Sequence, residues 1–142
     1  MVDKNSFIQS VNTGYTFKGE SFIVGAAMLN GEVLSEALVR LPLKTMNRHG
    51  LIAGATGTGK TKTLQVIAEG LSNASVPVMV MDIKGDFSGI AEQGSLNDKI
   101  KERYGKMALE YVPGSFPVEL MSLSEEKGVR LRATVSEFGP VL

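Results

Sequence analysis

Gly54-Ala55-Thr56-Gly57-Thr58-Gly59-Lys60-Thr61 is the stretch whose reading decides the fold expected for this chain. It has the spacing G-x-x-x-x-G-K-[ST], in which a glycine-rich bend turns several backbone N–H groups into one hollow shaped for a chain of phosphates. Glycines at 54, 57 and 59 permit tight, partly left-handed turns. Lys60 is placed to reach β- and γ-phosphate oxygens as a point charge, and the Thr61 hydroxyl to face Mg2+. A glycine-rich turn can match this pattern by chance, so context matters. The pattern must follow a buried strand and open a helix.

Both conditions are met in the sequence. Gly50-Leu51-Ile52-Ala53 is a short apolar run suited to a buried strand. Beyond the loop, Leu64, Ile67, Ala68 and Leu71 recur at i, i+3, i+4 and i+7, with Lys62, Gln65 and Glu69 on the other side, and Ser72-Asn73 marks the helix end. The helix start then points its dipole at the bound anion. Val78-Met79-Val80-Met81 reads as a second parallel strand buried on both faces, completing a right-handed βαβ unit between Gly50 and Ile83.

Working outward, Phe22–Ala27 and Ala37–Leu43 read as strands joined through an Asn30-Gly31 turn, with Pro42 confining the second to a sheet edge. Residues 1–19 are polar with scattered aromatics and are expected to be loosely ordered, or docked by a few of those aromatics. Lys84–Gly89 reads as a loop. Ser95 and Asp98 have capping-box spacing before a helix that would bury Leu96, Ile100, Tyr104 and Met107. Its basic residues, mixed with Glu102, describe a solvated face rather than a nucleic-acid patch. Val118–Leu123 and the alternating run Val129–Val135 are further strands, and Ser136 is a candidate helix cap.

The chain of 142 residues is one domain or part of one. Its 15 basic and 15 acidic residues cancel, so no global field draws it onto nucleic acid or membrane. It has no cysteine, which excludes disulfides and thiolate metal sites, and His49 is its only histidine. No apolar run is long enough to span a bilayer, and residues 1–14 lack the segments of a signal peptide, so a cytoplasmic location is expected. Asp82 ends the second expected strand, where an acid would border the phosphate pocket, orient a water or accept from Thr61; an ordinary surface carboxylate is the alternative. It is followed by Ile83 rather than Glu, and no N-K-x-D tetrapeptide for reading guanine is present.

The loop, together with Asn47–Gly54, Asp82-Ile83-Lys84-Gly85-Asp86, Phe116–Glu119 and Val129–Ser136, resembles the HerA–FtsK superfamily, and within it the bacterial HerA-like helicase branch. The resemblance implies a P-loop, RecA-like three-layer α/β sandwich with a mainly parallel sheet, incomplete in this chain, with residues 20–142 as the N-terminal part of a longer motor ATPase domain. It implies ATP and Mg2+ as cofactors, DNA as partner, and rings of identical subunits, often hexamers. By motif, Ala55, Thr56, Gly57, Thr58, Gly59, Lys60, Thr61 and Lys62 carry over as nucleotide contacts, Thr61 as the Mg2+ residue, and Asp82 as the acid after the second strand, acting on the metal through water. The family's paired acid and arginine finger find no matching positions. Lys60 and Asp82 are therefore the catalytic candidates. A nucleotide-dependent interaction module without catalysis, or a small P-loop kinase, are the alternatives.

Overall fold

In a computed structural model, residues 3–123, 125 and 128–132 are described. Asp3 caps the first helix, α1 (Lys4–Gly14), its carboxylate accepting the Ser6 N–H at 2.9 Å. The N-terminal segment is thus helical from Lys4 to Gly14. It is docked on the following hairpin, where Asn12 Nδ2 donates to the Glu36 carbonyl at 3.0 Å.

That hairpin pairs β1 (Ser21–Leu29) with β2 (Glu32–Pro42) in antiparallel register, from Ser21 opposite Pro42 to Leu29 opposite Glu32. Asn30 and Gly31 both have positive φ, 51° and 84°, the two-residue turn whose twist matches that of paired strands. The register shifts between Ile23 and Gly25 and between Ala26 and Ala27, which bends the ribbon. Leu34 and Ala37 of β2 are buried.

Helix α2 (Lys60–Asn73) follows the glycine loop as expected and packs on β1. The approach is close at Gly70, where a Cβ would run into the Phe22 ring. Its buried stripe is Gln65, Ala68 and Leu71, whereas Leu64 is exposed. The helix stops in a Schellman motif: Val76 N–H bonds the Leu71 carbonyl and Ser75 N–H bonds that of Ser72, both at 2.9 Å. Ser75, at φ 60°, occupies the left-handed position that glycine usually fills.

Helix α3 (Asp98–Lys106) starts later than a cap at Ser95 implies. Asn97, not Ser95, is the cap, accepting Ile100 N–H at 2.9 Å. Tyr104 on α3 meets Tyr111 edge to face, ring centres 5.1 Å apart. Leu96 is exposed rather than packed beneath the helix.

The expected RecA-like sandwich is not what the structure forms. Among the described residues there is a two-stranded antiparallel sheet, β1–β2, and one short parallel pair, β3 (Met121–Ser122) with β4 (Val129–Arg130). Gly50–Ala53 and Val78–Met81 form no ladder, so no βαβ unit arises, and the strands expected at 118–123 and from 129 shrink to these two-residue pairs. Residues 133–135, which complete the latter expectation, and Ser136, the candidate helix cap, lie outside the described residues. The reason is that a strand buried on both faces needs neighbours about 4.8 Å away on each side and a layer above and below. These runs have neither: Leu51 is 90% exposed, Met79 79% and Met81 88%. Among the described residues the buried apolar side chains are Leu34 and Ala37 on β2, Ala68 and Leu71 on α2, and Phe87 in the loop that follows residue 82.

Candidate functional site

The glycine loop reaches α2 through two left-handed residues, Gly57 at φ 81° and Gly59 at φ 95°, the second being the residue from which the helix starts. A side chain at either would be strained. Gly54 is needed for a different reason. A Cβ there would sit 2.6 Å from Thr58 Oγ1, whose hydroxyl donates across the bend to the Ala55 carbonyl at 2.8 Å. Lys60 Nζ donates to the same carbonyl at 2.7 Å, so its ammonium is folded back over the loop. Thr63 closes the first turn, its N–H bonding the Gly59 carbonyl at 2.9 Å. The N–H groups at the start of α2 have no partner inside the helix and carry the positive end of its dipole. Ala55, Thr56, Thr58, Thr61 and Lys62 are exposed, and Gly59 and Lys60 half-buried. Open amides, a helix start and one cation share a small region, an arrangement suited to an oxyanion of high charge.

Asp82 is used differently from the expectation. Its Oδ1 accepts the N–H groups of Lys84 at 3.2 Å and Gly85 at 3.0 Å, and its Oδ2 that of Phe87 at 2.7 Å. Both oxygens are thereby bonded to the loop they precede, and these bonds, that of Phe87 foremost, hold the carboxyl below its ordinary pKa. Gly85, at φ 76°, makes the turn, and Phe87 buries its ring at the loop's end. The loop is tied to α2 by Gln65, whose Nε2 donates to the Asp86 carbonyl at 3.5 Å. The helical periodicity puts Gln65 on the solvent face. The structure buries it, and the signal for this is its spacing of three from Ala68, which is itself three from Leu71, a stripe that Leu64 leaves. Glu69, half-buried one turn on, has its pKa pushed up by burial, with Lys62 opposing.

Two surface clefts lie elsewhere, one between α1 and β2 beside Asn12 and Glu36, the other beneath Leu43 and Val76–Met79. Among the described residues no three His, Asp or Glu side chains gather as a metal group. No described helix is long and apolar enough to cross a membrane.

The profile of the family described as helicase HerA-like C-terminal matches residues 28–142. The chain belongs to this HerA-like helicase family. The family assignment places it in the context of motor ATPases and helicases, and the matched stretch takes in β2, the glycine loop, α2 and the Asp82 loop. No match was found among curated proteins or among solved structures.

Proposed function

We propose that residues 55–62 bind the phosphates of ATP with Mg2+, as the nucleotide-binding portion of a DNA-acting, HerA-like motor ATPase. The observation that carries this reading is the left-handed pair Gly57 and Gly59 leading into α2, with the Lys60 ammonium already lying over the bend on the Ala55 carbonyl. An incoming phosphate would exchange that carbonyl for a charge-assisted partner. In this role Gly57 to Lys62 supply amides, Lys60 neutralises the outer phosphates, and the Thr61 hydroxyl holds the Mg2+, which supplies charge neutralisation at the transferring group. Hydrolysis, movement on DNA, assembly into a ring of identical subunits and a cytoplasmic location belong to the same proposal, with further catalytic groups contributed from outside this chain.

A second reading, binding without catalysis, is favoured by one observation. Asp82, the acid proposed to act on water or metal, has both oxygens taken by loop amides. The two readings separate experimentally. Calorimetric titration of ATP·Mg2+ into the wild type and Lys60→Ala should show affinity lowered at least about tenfold, worth roughly 1.4 kcal/mol, in the variant. Equal affinities would remove the loop as the site. Release of phosphate by the isolated chain, abolished in Asp82→Asn, would rule out the module.

A further inference from the structure

Gln65 is a polar side chain buried in the stripe that α2 otherwise fills with Ala68 and Leu71. A buried amide needs a partner, and the one it has is the Asp86 carbonyl, part of a different segment of the chain. At 3.5 Å this is a long bond, at the weak end of the range, so it is a contact that a small movement of either side would make or break. The segment it holds is stiff within itself. Asp82 closes it with three backbone hydrogen bonds, Gly85 turns it and Phe87 anchors it. The loop therefore behaves as one unit tied to α2 by a single side-chain hydrogen bond.

The same helix begins with Lys60. Gln65 lies five residues beyond it, about 7.5 Å along the axis, which a helix spans as a rigid body. Any ligand that draws Lys60 away from the Ala55 carbonyl loads the first turn of α2, and Gln65 is where that load meets the Asp82 loop.

We infer that Gln65 is a positioning residue that couples occupancy of the glycine loop to the placement of residues 82–87. The inference rests on the nucleotide-binding reading. It gives the Asp82 carboxylate a specific role, which is to keep the loop a single body so that a shift at one hydrogen bond moves all of it. Because coupling is reciprocal, fixing the loop would also alter nucleotide affinity by the same factor.

The test is amide hydrogen exchange over residues 82–87 in the full chain, with and without saturating ATP·Mg2+, in the wild type and in Gln65→Met, which keeps the side chain's length and removes its donor. Exchange at Gly85 and Phe87 should change about fivefold on nucleotide addition in the wild type, the low end of ordinary coupling. In Gln65→Met that change should fall below half, with calorimetric ATP affinity altered by no more than the coupling factor. An unchanged response in the variant overturns the coupling while leaving the nucleotide site intact. A wild type that binds ATP with no change at residues 82–87 overturns it as well, independently of whether the variant folds. A wild type that binds no ATP overturns the nucleotide reading, and the inference with it.

Discussion

The β1–β2 hairpin with α2 and the segment from Val76 to Ile83 are both rich in apolar residues, yet only the first is organised around a core. Leu34 and Leu71 are buried, whereas Met79, Met81 and Ile83 face solvent. The hairpin's strands are joined by two residues and the helix closes its own hydrogen bonds, so each needs only near neighbours. A parallel strand has no such local partner. Its ladder is made entirely by distant chain, and the described residues contain none that pairs with 78–81. Apolar content states what a segment is able to bury, and pairing decides whether it does.

The sharpest way to break this comparison is to truncate one buried and one exposed side chain of similar size. Leu34→Ala should cost about 2–5 kcal/mol in denaturant unfolding, by lost burial and the cavity left behind. Gly70→Val comes next. It should destabilise by about 2 kcal/mol through overpacking against Phe22, and the double variant with Phe22→Ala should recover part of the loss. Ser75→Gly should act in the opposite direction, stabilising by about 1 kcal/mol because the α2 stop requires a left-handed residue there. Ile83→Ser should fall within about 0.5 kcal/mol of the wild type, and a larger loss would show that residues 78–83 are covered in solution.

Acid probes a smaller, local effect. Asp82 has its pKa depressed by the Phe87, Lys84 and Gly85 amides, so its contribution is fully present above the ordinary carboxylate value and is lost as pH falls through the depressed one. Amide exchange at Phe87 and Gly85, corrected for its intrinsic pH dependence, should therefore lose protection only in that acidic window. In Asp82→Asn the window should vanish.

How much is legible in the sequence follows from the same division between local and distant structure. The turn at Asn30-Gly31, the helix opening at Lys60 and its end at Asn73 are readable because the residues that specify them are adjacent in the chain. The glycine loop's geometry is readable for that reason too. The burial of Gln65 is not, since its partner lies 21 residues away and helical periodicity alone does not tell which stripe faces inward. The three amide bonds to Asp82 are open to a reading of D-x-K-G as a loop capped by its first residue, but the apolar run before it draws attention to a strand end. The mainly parallel sheet comes with the family resemblance, and the ladders needed for it are absent among the described residues.

The most direct measurement is a crystal structure of the chain with ATP·Mg2+ bound. Phosphate density is predicted against the amides of residues 57–62, with Lys60 Nζ moved from the Ala55 carbonyl onto a phosphate oxygen. Density for the nucleotide elsewhere, with Lys60 still on Ala55, would contradict it.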